Sequence, residues 1–425
     1  MALLVVTAVL GSRGGIASNK APLLSEPEVN RIAYVSPDGR IEAVLPDGSD
    51  PWQIGEGDGF FTWPAWSPDA SKLVYSGVLD TGFNERKLSL FVFDAAGRAS
   101  REIYTNEPGI ATLLAEGVVH YPLWSPDSRR VAFIAGTEQG LTLFIDDLDE
   151  DVGAAAILDN GPLWISWSPD SRHLLVHRAE DHFLVNVADS LQVSNLNIPF
   201  VGYRVAAWRP SGSTIAFVQA NDQDGISLYE GEVVGESLES PRRIRGVSPN
   251  PAFLWSPDGA YLAAAGANQA LLYQGLSIFI YQDLTLYPED DAKQPIRIRD
   301  NVVAYFWSPD SSKLAYVTLS DTRGVLRWMI LDTVDGSRWT IVDFVPTSEQ
   351  LTMFQFFDQF AYSHSLWSPD SRALVFAGAL DEEAVTASFS YGSSIQGPHI
   401  LVTGIEPDSL PLVIADGIMG FWSPR

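Results

Sequence analysis

Three aspartates alternate along one short segment of the chain: Asp147, Asp149 and Asp151, followed by Gly153. Carboxylate oxygens are the ligands that Ca²⁺ prefers, and alternation before a glycine is close to the spacing of calcium-binding loops. The glycine falls one place late, however, and no glutamate follows at the required step. Two interpretations therefore stay open, a calcium site and an acidic solvated turn, and we expect no other cofactor.

The sequence offers little else for catalysis. His173 and His177 are four residues apart, which suits a shared metal on a helix. On a strand, which rises about 3.3 Å per residue, they would be about 13 Å apart. The sequence contains no G-x-S-x-G motif, the signature of the serine nucleophile in α/β-hydrolases, and no cysteine. We therefore expect a protein that is not an enzyme.

A repeated tetrapeptide organises the chain. Trp-Ser-Pro-Asp begins at Trp66, Trp124, Trp167, Trp255, Trp307 and Trp367, with a degenerate copy at Trp208 and a truncated one at Trp422. The mean step is about 51 residues, which is typical of propeller repeats. Proline followed by Asp and a small residue sets a tight turn, and the short apolar stretches around it are typical of strands. Residues repeated in every unit indicate architecture, with Trp packed between units; binding of one sugar per unit is the alternative.

The two ends of the chain complement each other. Before Trp66 the sequence predicts only three strands, and after the last full unit it predicts one, Gly417–Trp422. Four strands per unit make one propeller blade, so the last strand is expected to join the N-terminal blade and close the ring. The predicted fold is all-β: an eight-bladed β-propeller of four-stranded antiparallel blades.

The W-S-P-D-G/S motif followed by an apolar strand, as in Lys313–Val317, resembles the repeats of TolB-like propellers. The same repeat type occurs in the propeller domains of prolyl-oligopeptidase-like peptidases. The resemblance covers residues 30–425 and implies a single propeller domain, acting as a bacterial, extracytoplasmic scaffold for protein interactions. TolB-type propellers usually have fewer blades, and this sequence lacks the N-terminal α/β domain of TolB, so the resemblance does not imply TolB's own function.

Two long, aromatic connections are candidates for partner binding. One lies between Pro346 and His364, and the other between Gly378 and Gly397. Aromatic residues and Met are enriched in the cores of interfaces, and both connections should open on the same face of the propeller. The candidate residues are Met353, Phe354, Phe356, Phe357, Phe360, Phe389 and Tyr391. The alternative is that the first cluster caps the channel or packs on a neighbouring blade.

The N-terminal arm, residues 1–29, contains the apolar run Ala2–Leu10. A bilayer span needs about 20 residues, so the run is too short to cross by itself, but it has the length of the apolar region of a signal peptide. Export signal, part of a membrane anchor and short structural arm remain as interpretations. The first two place the protein in the periplasm or outside the cell, with possible membrane association through the arm.

Charge limits the choice of partner. The chain has 27 Lys and Arg against 53 Asp and Glu, a formal net charge of −26. A surface this acidic repels phosphate backbones, so nucleic acid is not expected as a partner. The preferred hypothesis is a scaffold that binds a protein partner as part of a larger assembly. The alternative is a glycan- or ligand-binding, or hydrolytic, propeller that uses its central channel, with Trp63, Trp164, Tyr203, Tyr305 and Tyr121 near the inner-strand starts.

Overall fold

The computed structural model describes residues 29–55, 57–80, 86–107, 109–110, 113–115, 117–150, 152–179, 181–198, 206–221, 225–248, 250–380 and 398–425. Within these ranges the chain is almost entirely β-structure, arranged as antiparallel sheets that fit a β-propeller. No helix in the described ranges is long and apolar enough to cross a membrane. Asp151, Tyr203, Phe389, Tyr391 and most of the N-terminal arm lie outside the described residues.

Five of the sheets have four strands each, as the repeat predicts. Sheet A consists of β1 (Ile32–Val35), β2 (Ile41–Val44), β3 (Trp52–Gln53) and, from the other end of the chain, β31 (Met419–Trp422). Sheet B consists of β4 (Gly59–Trp66), β5 (Lys72–Asp80), β6 (Arg86–Asp94) and β7 (Ala99–Thr105). Sheet C consists of β8 (Tyr121–Trp124), β9 (Arg130–Thr137), β10 (Gly140–Asp147) and β11 (Ala155–Leu158).

The remaining strands continue the pattern. Sheet D consists of β12 (Leu163–Trp167), β13 (His173–Arg178), β14 (Asp181–Asn186) and β15 (Gln192–Asn195). Sheet E consists of β16 (Ala207–Trp208), β17 (Thr214–Asn221), β18 (Gly225–Val234) and β19 (Ser237–Val247). Sheet F is larger and has 11 strands. Its named strands are β20 (Pro251–Trp255), β21 (Tyr261–Tyr273), β22 (Leu276–Pro288), β23 (Ile296–Ile298), β24 (Val302–Trp307), β25 (Lys313–Leu319), β26 (Leu326–Asp332), β27 (Arg338–Pro346), β28 (Ala373–Leu380), β29 (His399–Gly404) and β30 (Leu412–Asp416).

The Trp-Ser-Pro-Asp segments form the turns between the first and second strands of the repeat. In sheet B, the Ser67 N–H donates to the Lys72 carbonyl at 2.9 Å, and the Asp69 carboxylate accepts the Ser71 N–H at 3.0 Å. The residue after Asp69, Ala70, has a φ of 58°. A small residue suits that position because the left-handed region is costly for bulky side chains. The turn chemistry predicted from the sequence is therefore confirmed.

The first and last strands of the chain pair with each other. β31 runs antiparallel to β1, with Ile32 opposite Trp422 and Val35 opposite Met419. Beyond the strand, the Ser423 N–H donates to the Arg31 carbonyl at 2.7 Å. This pairing is the one that the three-plus-one strand count predicts. It satisfies the backbone groups of β1 that would otherwise form an open edge.

Candidate interaction face

The repeated tryptophans form a relay from one repeat to the next. In six of the eight repeats, the indole N–H donates to the carbonyl of the residue that precedes the equivalent tryptophan one repeat earlier. The pairs are Trp124 to Ala65 (2.9 Å), Trp167 to Leu123 (3.1 Å), Trp208 to Ser166 (3.2 Å), Trp255 to Ala207 (3.2 Å), Trp307 to Leu254 (3.2 Å) and Trp367 to Phe306 (3.1 Å). These tryptophans are buried. The relay gives them the architectural role that their repetition predicts.

A second link joins neighbouring turns. The Asp69 N–H donates to the Ser128 hydroxyl of the next repeat at 3.1 Å, and the Asp127 N–H donates to the Ser171 hydroxyl at 3.0 Å. The same bond recurs from Asp310 to Ser371 at 3.1 Å. The second serine in W-S-P-D-S, which follows the Asp, thus accepts the hydrogen bond that ties its turn to the turn of the preceding repeat. The motif residues are occupied by the architecture of the fold.

The aromatic connection after β27 folds as two short helices, α1 (Ser348–Gln355) and α2 (Phe357–Phe360). We call residues 347–364 the helical insertion. Thr347 caps α1 by accepting the Gln350 N–H on its hydroxyl at 3.1 Å. The Gln350 side chain in turn accepts the Ala377 N–H of β28 at 3.0 Å. The T-x-x-Q spacing is a capping-box signature that would have indicated this helix from the sequence.

Four of the predicted partner-binding residues are buried, contrary to the expectation of an exposed anchor. Met353 and Phe357 are 0% exposed, Phe354 is 1% exposed and Phe360 is 4% exposed. Phe356, which separates the two helices, is half-buried. Burial of the four side chains matches the alternative that the cluster packs on the neighbouring sheets, because aromatic surface is removed from water more completely inside the fold.

The helical insertion contacts sheets from distant parts of the sequence. Phe360 stacks on Trp63 of sheet B, with ring centroids 4.5 Å apart, and meets Tyr121 of sheet C at 5.5 Å. The Tyr121 hydroxyl donates to the Gln359 carbonyl at 2.9 Å. On the other side, Phe357 lies 4.6 Å from Tyr305 of sheet F. The insertion therefore bridges sheets B, C and F.

Three of the aromatic residues that are candidates for binding a channel ligand instead make contacts within the fold. Trp63 is 1% exposed and donates its indole N–H to the Gly117 carbonyl at 2.9 Å. Tyr305 is buried and donates to the Ala252 carbonyl at 2.8 Å. Burial also raises the pKa of the Tyr121 hydroxyl. Trp164 differs, because it is only half-buried and stacks on His177 at 5.4 Å.

An apolar groove runs along the edge of the helical insertion. It has a volume of about 110 Å³. Sheets C and D, the connection that leads to β8, and the insertion itself contribute to its walls. Its lining residues are Leu114, Ala115, Val118, Tyr121, Ile134, Leu141, Pro162, Leu163, Trp164, Phe356, Gln359 and Phe360. None of them carries a charge, so the groove suits apolar side chains rather than ions.

The sequence patterns indicate only part of this groove. The sequence makes Phe356, Phe360, Trp164 and Tyr121 candidates, but it does not indicate Leu141 or the aliphatic residues of the connection before β8. Leu114 and Leu141 are half-buried in the structure. A single aliphatic residue beside a turn is common in any β-protein, so no sequence signal separates these positions from core residues.

A second hollow, of about 340 Å³, lies at the turn side of the sheets. Prolines of successive Trp-Ser-Pro turns line it, among them Pro68, Pro126 and Pro169. Tyr362, from the end of the helical insertion, contributes a side chain that is 41% exposed. The ordinary pKa of a tyrosine hydroxyl is about 10, so the Tyr362 hydroxyl is protonated at neutral pH and can donate a hydrogen bond.

The candidate calcium residues are paired with arginines. The Asp147 carboxylate lies 2.9 Å from the Arg130 guanidinium, and the Asp149 carboxylate lies 2.9 Å from that of Arg129. The third candidate, Asp151, is outside the described residues. Among the described residues, no group of three or more His, Asp or Glu side chains is placed to hold a metal ion. The arginines compete directly with a cation for Asp147 and Asp149.

The buried histidines are structural in their surroundings. His120 accepts or donates hydrogen bonds at both ring nitrogens, to Ser76 at 3.1 Å and to Asn106 at 2.9 Å. Burial lowers its pKa to about 3. His177 stacks on His182 across β13 and β14 at 4.8 Å, and burial lowers its pKa to about 4. Both therefore stay neutral at physiological pH, as side chains that fill the fold.

Solved structures resemble this fold across most of its length. The chain is similar to the crystal structure of the eukaryotic initiation factor, with a TM-score of 0.55, 12% identity, and coverage of 93% of this chain and 98% of that chain. It is also similar to the β-propeller domain of the trilobed protease from Pyrococcus furiosus, with a TM-score of 0.48, 12% identity, and coverage of 85% and 97%.

TolB from Acinetobacter baumannii is a further match, with a TM-score of 0.39, 13% identity, and coverage of 84% of this chain and 83% of that chain. TolB proteins and propeller domains are thus among the structures that this chain resembles, as its repeat predicts. At these identities the likeness concerns the fold alone. No family model matches the sequence, and the search of curated proteins gives no match.

Proposed function

We propose that the chain is an eight-bladed propeller that acts as a non-enzymatic scaffold for a protein partner outside the cytoplasm. Sheets A to E each supply one blade. Sheet F would supply three: β20–β23, β24–β27, and β28–β30 together with the bridge between Trp367 and Leu374. Pairing of β31 with β1 supports closure of the ring between its ends. The apolar run Ala2–Leu10 supports export or membrane attachment through the arm.

The observation that carries the proposal is the apolar groove beside the helical insertion. In a ring of this kind the insertion would lie across one end of the channel, where it contacts sheets B, C and F. The groove leaves Phe356, Trp164 and Leu141 half-buried at the surface. Recognition of a sugar needs several polar groups placed around it, whereas the groove offers mainly aliphatic and aromatic surface. Apolar side chains of a protein are therefore the better fit.

Charge adds a second property of the partner. The chain has a net charge of −26, and Glu138, next to the strand that supplies Leu141, is exposed. Complementary potentials speed association and select partners. We expect a segment with an aromatic or aliphatic anchor and flanking Lys or Arg residues. The attraction between the acidic chain and these basic residues would make the association rate fall as the salt concentration increases.

A displayed library of random peptides tests this proposal with defined probes. Peptides selected on the full chain should share an apolar anchor flanked by basic residues. Phe356→Ser should weaken their binding at least about tenfold, because anchors in the centre of an interface carry most of the affinity. The matched control is Leu410→Ser, since Leu410 is 88% exposed and lies in the turn between β29 and β30. Selected peptides that bind Phe356→Ser as well as the unchanged chain would contradict the proposal.

The hollow around Tyr362 favours the alternative function, a small ligand or glycan held in the channel. Its half-exposed phenol is a hydrogen-bond donor among apolar walls, an arrangement common in ligand sites. A glycan array probed with the full chain separates the two functions. The channel site would be supported by a glycan that binds the unchanged chain but not Tyr362→Phe, provided that both chains bind the selected peptides equally well.

A further inference from the structure

The longest hairpin within the described residues extends past the strand that supports it. β21 and β22 have 13 residues each. β20 pairs with β21 only as far as Gly266. Beyond it, Gln269 to Tyr273 pair with Leu276 to Ile280 around a two-residue turn. We call residues 269–280 the hairpin arm.

The two faces of the hairpin arm differ in what they contact. Tyr273, Ile278 and Ile280 are buried, and the Tyr273 hydroxyl donates to the Gly324 carbonyl at 2.6 Å. The hydrogen bond fixes the arm to the connection between β25 and β26. On the opposite face, Leu272 is 75% exposed and lies next to the half-buried Phe279. The arm therefore presents apolar surface to solvent although it is held in place.

The outer edge of β21 in the arm has no strand partner among the described residues. Hydrogen-bonded and non-hydrogen-bonded pairs alternate along an antiparallel hairpin. Because Tyr273 and Leu276 flank the two-residue turn, alternation directs the backbone groups of Ala270 and Leu272 outward. Natural proteins protect such edges with charged side chains or proline. From Gly259 to Gln282 the sequence contains no Asp, Glu, Lys, Arg or Pro, in a chain that is 19% charged.

We infer that the hairpin arm is a dimerisation surface that pairs with the same edge of a second copy of this chain. An uncharged edge does not attract a basic partner in particular. It does let two copies, each with a net charge of −26, approach without negative charges facing each other at the contact. Antiparallel pairing about a two-fold axis would place Ala270 opposite Leu272 of the second copy, with Leu271 on the axis. About four backbone hydrogen bonds would form, and each exposed Leu272 side chain would lie beside Ala270 of the second copy on the same face.

Sedimentation of the full chain at several concentrations and salt levels tests the dimer. We expect the dimer fraction to rise with protein concentration, and to rise again between about 0.05 and 0.5 M NaCl, because salt screens the repulsion between the acidic bodies. Leu272→Lys should give a monomer with an unchanged thermal unfolding midpoint, since the side chain is exposed in one copy. Leu410→Lys, another exposed leucine, should dimerise as the unchanged chain does.

The lack of native cysteines allows a direct test of the two-fold axis. Leu271→Cys should form a disulfide-linked dimer under mild oxidation, because residues facing each other in a non-hydrogen-bonded pair have Cα atoms about 4.5 Å apart. Ser277→Cys, on β22 of the same arm, should not, since two strands would separate position 277 from the same position in the second copy. A chain that stays monomeric at every salt concentration, or equal cross-linking of the two variants, would overturn the inference.

Discussion

Replacing Phe360 by alanine tests whether the helical insertion is a structural part of the fold. The Phe360 ring is 4% exposed and contacts Trp63 at 4.5 Å, His364 at 5.2 Å and Tyr121 at 5.5 Å. A buried phenylalanine covers about 150 Å² of apolar surface, which at about 25 cal/mol per Å² corresponds to ~4 kcal/mol. The measured range for such truncations is about 3–5 kcal/mol.

Urea unfolding followed by circular dichroism measures this loss. Phe356→Ala is the matched control, because Phe356 lies in the same segment but is half-buried, so we expect a loss of no more than about 2 kcal/mol. A double-mutant cycle of Phe360→Leu with Trp63→Leu should give a coupling of about 0.5–1.5 kcal/mol for the stacked pair. A loss below about 1 kcal/mol for Phe360→Ala, with no coupling, would refute the bridging role of the insertion.

Three further predictions concern the repeat, the histidines and the aspartates. Trp208→Phe should cost about 1–3 kcal/mol more in urea unfolding than Trp66→Phe, because it leaves the buried Ser166 carbonyl without its donor, whereas the Trp66 indole N–H has no partner in the described structure. Burial lowers the pKa of His120 from 6.5 to about 3. The contribution of neutral His120 to the stability of the fold is therefore complete above pH 6.5 and is lost as the pH falls towards 3. The free energy of unfolding should therefore fall by ~2 kcal/mol between pH 7 and pH 5. His120→Gln should make the difference between the urea midpoints at pH 7 and pH 5 smaller. Because Asp147 is paired with arginine, about 1 mM CaCl₂ should leave the unfolding temperature equal to that in EDTA, while a rise would indicate a calcium site.

The strands were predictable because their signals are local. The Trp-Ser-Pro-Asp turn sets its own geometry through proline, an Asp side-chain bond and a small residue with positive φ. Lys313–Val317 was predicted as a strand and lies within β25 (Lys313–Leu319). The pairing of β31 with β1 also followed from counting strands, because a four-strand unit leaves an unpaired edge unless the two ends combine.

The position of the aromatic segment could not be predicted in this way. Phe354 and Phe357 have the same composition signal whether they face a partner or the inside of the fold. Their burial depends on Trp328 and Tyr305, which precede them in sequence within sheet F and approach only after the sheets assemble. The groove depends similarly on Leu141 and Phe356, more than two hundred residues apart. Proximity of that kind is a property of the assembled sheets.

The sequence by itself determined the repeat, the turn chemistry, the strand content and the meeting of the two ends, since each depends on residues close together or on a simple count. Only the tertiary structure decided which aromatic residues are covered, which arginines neutralise Asp147 and Asp149, and which edge remains open along β21. These outcomes arise from packing between distant segments, where burial and charge pairing are set by neighbours that the local sequence does not specify.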